Sequence, residues 1–332
     1  MKMIELVDKF PAQLKEALEI GQKANITKHS TAIRNVFVAG IGGSGIGANF
    51  TQDFTVDELK VPFLVGKGYE IPQFINKNTL AIVSSYSGNT EETLSAFDLL
   101  LQTGAKIVCI ASGGKVIAKA KELGLDYIQL PSGWPSPRAC VGFSFIQQLL
   151  ILNKLKLISN KTIKQIEGAI KLLKKENDNI KKDAAKLAAK LNGKITVIYA
   201  TDRMESVALR FRQQINENAK LLGWHGVVPE MNHNELVGWR EKTDKLAVVY
   251  FRNKDDFPRN SVRIDINKKI IGEYTSNITD LWSKGRNLVE KALYFVSLGD
   301  YASCYLCDLG GFDSIEIKVI DFLKDELARV ES

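Results

Sequence analysis

Short apolar runs alternate with longer helical segments along most of this chain, and this alternation constrains the fold more than any other feature. Five runs in the first half have the length of a buried strand, at residues 35–40, 61–65, 79–84, 106–111 and 126–130. Segments of helical length and composition, such as 90–103, lie between them. This order predicts a parallel α/β sheet with helices on both faces, because strands buried on both faces read as continuous apolar runs.

The same plan resumes after a long helical region. Helices are predicted at 4–24, 139–191, 204–220, 284–307 and 316–330. Further strands are predicted at 194–200, 245–251 and 262–271. A chain of 332 residues has room for two domains of ordinary size. We therefore expect one α/β domain over residues 1–155 and a second over 156–332.

Composition narrows the class of protein. No run of about 18 apolar residues occurs, and the N-terminus lacks the apolar core of a secretory signal, so we expect no membrane span. Four cysteines are too few for a disulfide framework, which favours a reducing cytoplasm. The net charge of +7 is diffuse, and its densest stretch, residues 161–194, is typical of a solvated helical face. We therefore expect no nucleic-acid partner.

A glycine-rich turn follows the first predicted strand. The sequence GIGGSG, from Gly40 to Gly45, lies where a strand passes into a helix. Glycines let the backbone approach a ligand, and a helix N-terminus offers unpaired N–H groups to an anion such as phosphate. The turn also fits the G-x-G-x-x-G pattern of a dinucleotide-binding domain, although no acidic residue ends the next strand, Val65-Gly66-Lys67.

A second turn, SYSGNT, follows the strand predicted at 79–84. Ser85, Ser87 and Thr90 place three hydroxyl groups within six residues, at the start of another predicted helix. Helix capping by Thr90 would explain one hydroxyl but not the other two. Ligands bind outside the carboxyl ends of the strands in open α/β sheets, so the two turns together predict a phosphate-binding site.

Other site chemistries find little support. No H-x-H or H-E-x-x-H pattern occurs, and we expect neither a metal nor another cofactor. Cys304 and Cys307 have CxxC spacing but no second pair, and they fall in an apolar helical segment, which indicates core packing.

The two turns together resemble those of sugar isomerase (SIS) domains. Three later segments resemble the bifunctional phosphoglucose/phosphomannose isomerases of that superfamily: SPR at 136–138, QINENAK at 214–220 and PEMNHNE at 229–235. The likeness runs from about residue 35 to the C-terminus. It implies two tandem SIS domains, each a mainly parallel sheet flanked by helices in a flavodoxin-like three-layer sandwich.

The resemblance implies a role for each matching residue. Substrate would be bound by Gly42, Gly43, Ser44, Ser85, Ser87 and Thr90, with the hydroxyls of the second turn on the phosphate. Arg138 would stabilise an enediolate, Glu217 would be the base, and His233 would open the sugar ring from the partner subunit of a homodimer. Lys324 matches a C-terminal lysine of the family, with Lys318 as a competitor because Asp313-Ser314 replaces the usual Asp-Pro.

These residue types suit an aldose–ketose isomerisation. A carboxylate can carry a proton between C2 and C1 of an open sugar through a cis-enediol, and a fixed guanidinium stabilises its negative charge. Histidine suits the proton transfers of ring opening. We therefore predict a metal-free isomerase of glucose 6-phosphate and fructose 6-phosphate that also accepts mannose 6-phosphate. A non-catalytic sugar-phosphate sensor and a single-domain SIS enzyme are the rival interpretations; the second half of the chain argues against the latter.

Overall fold

The computed structural model describes residues 2–330 as two compact units. The N-terminal unit comprises Leu6–Asn177 together with Ser283–Phe295, and the C-terminal unit comprises Asp178–Trp282 together with residues 296–330 and a short N-terminal piece. Two long helices, Lys161–Leu191 and Leu288–Gly310, therefore begin in the first unit and end in the second. The domain boundary predicted at residue 155 falls in the turn just before the first of these helices, and it stays a prediction.

The helices and strands alternate as the sequence predicts. The helices are α1 Met3–Asp8, α2 Phe10–Lys23, α3 Gly42–Thr55, α4 Glu91–Leu100, α5 Gly114–Glu122, α6 Val141–Lys154, α7 Lys161–Leu191, α8 Glu205–Ala219, α9 Pro258–Gly272, α10 Leu288–Gly310 and α11 Lys318–Leu327. The strands are β1 Asn35–Ala39, β2 Phe63–Gly66, β3 Thr79–Ser84, β4 Lys106–Ala111, β5 Asp126–Gln129, β6 Ile195–Thr201, β7 Gly223–Val228, β8 Leu246–Arg252 and β9 Ile278–Trp282. Short 3-10 helices lie at Pro137–Cys140, Asp202–Met204, Glu230–His233 and Glu235–Gly238.

The N-terminal unit is built on a five-stranded sheet of order β2-β1-β3-β4-β5, and every neighbouring pair is parallel. This is the flavodoxin-like strand order, in which β2 lies on one side of β1 and the later strands β3, β4 and β5 lie on the other side. Helices α4 and α5 bury one face of the sheet around Phe37, Val83 and Cys109. Helices α3 and α6 pack against each other through the rings of Phe50 and Phe145, whose centroids lie 6.0 Å apart.

The C-terminal unit repeats the plan with four parallel strands in the order β7-β6-β8-β9. Tyr199 and Tyr250 lie side by side on one face, with ring centroids 5.2 Å apart. On the other face Phe251 contacts Phe211 of α8, at 5.8 Å between centroids. Both halves of the chain are thus parallel sheets flanked by helices, which confirms the predicted fold class.

The connection from β7 to β8 differs from every other crossover of this sheet because it contains no α-helix. Two 3-10 helices, Glu230–His233 and Glu235–Gly238, occupy that place. Met231 and Trp239 are buried there against Tyr199 and Tyr250. The crossover therefore covers the sheet with a few large side chains where a helix would otherwise pack.

One predicted strand is wrong. Residues 262–271 belong to α9, which begins with Pro258 at its first position. The apparent alternation of Val262, Ile264 and Ile266 is misleading, since Val262 and Ile266 are 47% and 49% exposed. The strands β7 and β9 were not predicted from the sequence.

Helix α7 accounts for most of the basic stretch of residues 161–194, and nearly all of the lysines of that helix are exposed while Ile163, Ile166, Ile170 and Leu173 are buried. This agrees with a solvated helical face. Within the described residues 2–330, no helix is long and apolar enough to cross a membrane.

Candidate active site

Both glycine- and serine-rich turns lie at the carboxyl edge of the five-stranded sheet. The strands β1 and β3 that precede them are neighbours, with Ala39 beside Val83. Ser144 of α6 lies between the turns, because its hydroxyl donates to the carbonyl of Ser44 at 3.4 Å and is 3.5 Å from the hydroxyl of Ser84. The structure therefore brings together the two segments that the sequence assigns to one site.

The first turn passes directly into α3. Gly42, with φ of +55°, is the first residue of that helix, and no side chain caps the helix N-terminus. Ser44 is buried two residues further on. Gly42, Gly43 and Ser44 thus form the first turn of a helix whose N–H groups point toward the carboxyl edge of the sheet.

The hydroxyls of the second turn contact each other. Ser85 Oγ and Thr90 Oγ1 are 2.9 Å apart, and Ser85 Oγ also accepts the Gly88 N–H at 3.1 Å. Ser87 Oγ accepts the Asn89 N–H at 3.2 Å. Thr90 occupies the N-cap position of α4, but its hydroxyl makes no capping hydrogen bond. The hydroxyl of Thr90 is therefore directed at the turn rather than at the helix.

Gly88 fixes the shape of this second turn. Its φ is +71°, and a Cβ placed there would lie 1.9 Å from the carbonyl oxygen of Gly113. Asn89 Oδ1 accepts the Lys115 N–H at 3.0 Å, which ties the turn to the start of α5. The turn is thus braced against the loop after β4, and only glycine fits at the point of closest approach.

Arg138 lies beside the first turn. It is 6% exposed and lies in the 3-10 helix Pro137–Cys140. A Cβ on Gly43 would lie 3.2 Å from the carbonyl oxygen of Pro137 and 3.8 Å from Cα of Arg138. The loop before it is held by Tyr86, whose hydroxyl donates to the Pro131 carbonyl at 2.9 Å. Burial raises the pKa of Tyr86 far above its usual range, so this donor stays protonated.

Glu217 lies near the C-terminal end of α8, at the rim of a mostly apolar groove of about 430 Å³. The groove is lined by Asn216, Glu217, Lys220, Leu221, Leu222, Glu316, Ile317, Val319 and Ile320. Lys220 caps α8 in a left-handed conformation and donates to the carbonyl oxygens of Glu217, at 2.7 Å, and of Glu316. Lys220 therefore ties the end of α8 to the start of the C-terminal segment.

His233 is exposed at the end of the 3-10 helix Glu230–His233. Its neighbours anchor the segment, since Met231 is buried and the Asn232 side-chain amide donates to Asn267 Oδ1 at 2.6 Å. Within the described part of the chain, the imidazole has no hydrogen-bond or ion-pair partner. The imidazole of His233 is therefore exposed on a backbone that its neighbours hold in place.

Glu217 and His233 do not meet within the C-terminal unit. Successive residues of a strand point to opposite faces, so Tyr250 and Phe251 of β8 mark the two faces of the sheet. Helix α8, which carries Glu217, packs on Phe251, whereas the segment that carries His233 packs with Tyr250. The sheet therefore separates the predicted base from the predicted ring-opening group of the same chain.

Comparison with known proteins agrees with these features. Residues 180–327 match the family described as "Bacterial phospho-glucose isomerase C-terminal SIS domain". The bifunctional phosphoglucose/phosphomannose isomerase of Caldicellulosiruptor bescii is 37% identical over 340 aligned positions that cover 99% of this chain and 100% of that protein. Its counterpart in Aquifex aeolicus is 33% identical and covers 92% of this chain and 94% of that protein.

This chain belongs to the bifunctional phosphoglucose/phosphomannose isomerase family. Among solved structures, the C-terminal domain of glucosamine-fructose-6-phosphate aminotransferase from Francisella tularensis superimposes with a TM-score of 0.76 at 12% identity, over 94% of this chain and 97% of that one. This likeness extends the fold to a more distant protein. The family assignment favours the catalytic interpretation over a non-catalytic sugar-phosphate sensor.

The two lysines considered for the family's C-terminal position both lie on α11 and are exposed. Lys324 follows Ile320 by one helical turn and shares its face, while Lys318 points to nearly the opposite side. Since Ile320 lines the groove beside Glu217, the geometry favours Lys324.

The cysteines take no part in either turn. All four are free and buried, and Cys304 and Cys307 lie within α10, as core packing predicts. In residues 2–330, no group of three or more His, Cys, Asp or Glu side chains is arranged to hold a metal ion.

Sequence reasoning assigned no role to Ser144 or to Ser136. Ser144 links the two turns, and the buried hydroxyl of Ser136 has no hydrogen-bond partner among the described residues. A polar residue inside the apolar run of α6 was the signal for Ser144. Ser136 stands in the SPR segment itself.

Proposed function

We propose that this chain interconverts glucose 6-phosphate and fructose 6-phosphate, and also accepts mannose 6-phosphate, by proton transfer through a cis-enediol without a metal ion. The observation that carries the proposal is the near full-length similarity to bifunctional phosphoglucose/phosphomannose isomerases. It is supported by two turns at one sheet edge with a buried arginine beside them.

The phosphate is bound by the second turn. Ser85, Ser87 and Thr90 supply hydroxyl donors, and the uncapped N-terminus of α4 supplies backbone N–H groups and a positive dipole end. Gly42, Gly43 and Ser44 line the sugar end of the same pocket. The bracing at Gly88 supports this assignment, because a preorganised turn loses little entropy when the anion binds.

Arg138 stabilises the enediolate. A guanidinium buried in a segment that begins with Pro137 is held in place before charge develops on the substrate, which is the condition for effective electrostatic catalysis. A flexible surface arginine would have to reorganise during the reaction and would contribute less.

Glu217 carries the proton between C2 and C1, and Lys324 supplies a positive charge to the same site. Glu217 is half-buried and lines a mostly apolar groove. Acceptance of both C2 epimers requires rotation about the C2–C3 bond of the open substrate, so that one base reaches the proton of either.

His233 opens the sugar ring in the active site of a second copy. The sheet lies between Glu217 and His233 of one chain, so a site containing both takes one of them from a partner in a homodimer. The exposed imidazole agrees with this arrangement, as does α11, on which no residue is buried and on which Val319 and Phe322 are 82% and 66% exposed.

The isomerase proposal is tested by an assay of glucose 6-phosphate formation from fructose 6-phosphate, with and without EDTA. We expect turnover in both conditions. Absence of product would refute the isomerase, and loss of turnover in EDTA would refute the metal-free mechanism alone.

The role of Glu217 is tested by Glu217→Gln, which keeps the size of the side chain and removes the base. Turnover should fall by far more than tenfold. Retention within about tenfold, or about 1.4 kcal/mol of barrier, would exclude Glu217 as the base. Glu205→Gln is the matched control, since Glu205 is an exposed glutamate at the first position of the same helix, far from Glu217.

We also propose that the enzyme works in the cytoplasm and binds no nucleic acid. The four buried free thiols and the solvated lysines of α7 support these two proposals.

A further inference from the structure

Glu235 lies two residues after His233 and connects their shared segment to the sheet. Its Oε1 atom accepts two hydrogen bonds, from the Tyr199 hydroxyl at 2.6 Å and from the Trp224 indole N–H at 2.7 Å. Tyr199 belongs to β6 and Trp224 to β7. One carboxylate therefore bridges two neighbouring strands and the crossover that carries His233.

Gly226 and Tyr199 surround the Glu235 carboxylate. The other oxygen, Oε2, lies 2.9 Å from where a Cβ on Gly226 would stand, so glycine leaves room for it. Tyr199 is fully buried, and its hydroxyl also accepts the Trp239 indole N–H at 3.3 Å. Burial, followed by the hydrogen bond to Glu235, raises the pKa of Tyr199 far above its usual range, so the hydroxyl stays a donor.

The segment around His233 depends on such anchors because it contains no α-helix. Before the histidine, Met231 is buried and Asn232 bonds to Asn267 of α9. After it, the Glu235 side chain provides the bonds to β6 and β7. Anchors on both sides of one exposed residue hold the backbone of that residue in place.

We propose that Glu235, held by Tyr199 and Trp224, is a positioning residue that aims His233 at the ring of the sugar phosphate. This inference rests on the proposed function, because it assumes that His233 opens the ring. Glu235 acts only through the position of His233. Its effect is on ring opening alone, and the proton transfer by Glu217 is left unchanged.

Ring opening can be measured apart from isomerisation. Exchange between the α and β anomers of glucose 6-phosphate requires opening and closing of the ring but no transfer between C2 and C1. Magnetisation-transfer NMR reports this rate above the uncatalysed background. Glu217→Gln should abolish isomerisation and keep anomer exchange, whereas His233→Ala should lose both.

The test variant is Tyr199→Phe, which removes one hydrogen bond to Glu235 and also the acceptor of the Trp239 indole N–H, whereas Trp224→Phe removes only the other hydrogen bond to Glu235. Its matched control is Tyr250→Phe, since Tyr250 is equally buried beside Tyr199 and its hydroxyl has no hydrogen-bond partner among the described residues. We expect Tyr199→Phe to slow anomer exchange and turnover about tenfold or more, as a misplaced catalytic group does. Tyr250→Phe should leave both within twofold.

A second readout does not depend on activity. The chain has three histidines, His29, His225 and His233, so their imidazole C–H resonances can be assigned by single substitutions. The His233 resonance should shift or broaden in Tyr199→Phe and stay unchanged in Tyr250→Phe. If Tyr199→Phe does not fold, Trp224→Phe serves in its place, because it removes the hydrogen bond that the Trp224 indole N–H donates to Glu235.

The outcomes separate the two proposals. If the unaltered protein shows neither turnover nor anomer exchange, the proposed function fails, whatever the resonances show. If it shows both, and the folded Tyr199→Phe and Trp224→Phe variants match the Tyr250→Phe control in exchange rate and in the His233 resonance, the positioning role of Glu235 is overturned while the proposed function stands.

Discussion

The placement of Glu217 and His233 on opposite faces of one sheet predicts that neither chain contains a complete active site. Glu217 is the thirteenth residue of α8, about 18 Å along the helix at 1.5 Å per residue. Layers on the two faces of a sheet lie about 20 Å apart, because each packs about 10 Å from it. A sugar phosphate cannot bridge that separation through the sheet, so we expect the histidine to act across a dimer.

Hybrid dimers test this expectation. A Glu217→Gln chain and a His233→Ala chain with different affinity tags are co-expressed, and the hybrid is isolated by sequential purification. If the histidine acts across the interface, one of the two sites in the hybrid is complete, and its activity is about half that of the unaltered dimer. Homodimers of either variant should have almost none.

The reciprocal hybrid supplies the control. One unaltered chain is paired with a chain that carries both substitutions, so its two sites each lack one group if the histidine acts in trans. Action within one chain predicts the reverse, with half activity for this hybrid and none for the first. That reversed result would refute the trans arrangement, and a monomer in size-exclusion chromatography with light scattering would do so independently.

Three further predictions follow from local contacts. Gly88→Ala should raise KM for fructose 6-phosphate strongly, because its Cβ would collide with the Gly113 carbonyl. Gly104→Ala, also at positive φ but with only an ordinary contact to Lys77 Cβ at 3.8 Å, should alter only stability; steady-state kinetics compare the two variants. Asp300→Ala should lower the free energy of unfolding in urea by about 3–5 kcal/mol, since it leaves the buried Arg210 guanidinium without this carboxylate at 2.7 Å. Burial raises the pKa of Cys109 to about 12, and all four thiols are buried, so Ellman's reagent at pH 8 should modify fewer than one thiol per native chain and four after denaturation.

The sequence predicts best where a strand is central in its sheet. The bounds of β3 and β4 agree with the predicted runs at 79–84 and 106–111, because both strands are buried on both faces and read as apolar throughout. The two strands missed in the second half, β7 and β9, lie at the edges of their sheet. Edge strands bury less surface, so GWHGVV and ITDLW carry glycine, histidine and aspartate and lack the apolar signal.

The error at residues 262–271 has a different cause. Val262, Ile264 and Ile266 alternate as in a strand, yet the buried positions of α9 are Asn260, Ile264, Asn267 and Ile271, which follow helical spacing. Two of these four are asparagines, so a purely apolar pattern misses them. Asn267 is buried because it hydrogen-bonds to the segment that carries His233, a contact that no local pattern contains.

In the candidate site, too, local motifs could be predicted from the sequence and contacts between distant segments could not. The two turns could be predicted because each is a local motif, and the parallel order of β1 and β3 brings them to one edge. The bracing of Gly88 by Gly113 and the approach of Gly43 to Arg138 join segments that are distant in sequence. The separation of Glu217 from His233 could not be predicted, because it depends on which face of the sheet is covered by α8 and which by the segment 230–238. The sequence does not show that face for a crossover without an α-helix.

The irregular crossover after β7 distinguishes the C-terminal unit from the N-terminal unit. In the N-terminal unit, α3 and α4 begin beside the turns at the sheet edge, and their N-termini suit an anion. In the C-terminal unit, two 3-10 helices follow β7 in place of an α-helix. The 3-10 segment instead buries Met231 and Trp239 and leaves His233 exposed between them. Since such a segment has few internal hydrogen bonds, its geometry must come from side-chain anchors, and Glu235 is the anchor that joins it to two strands.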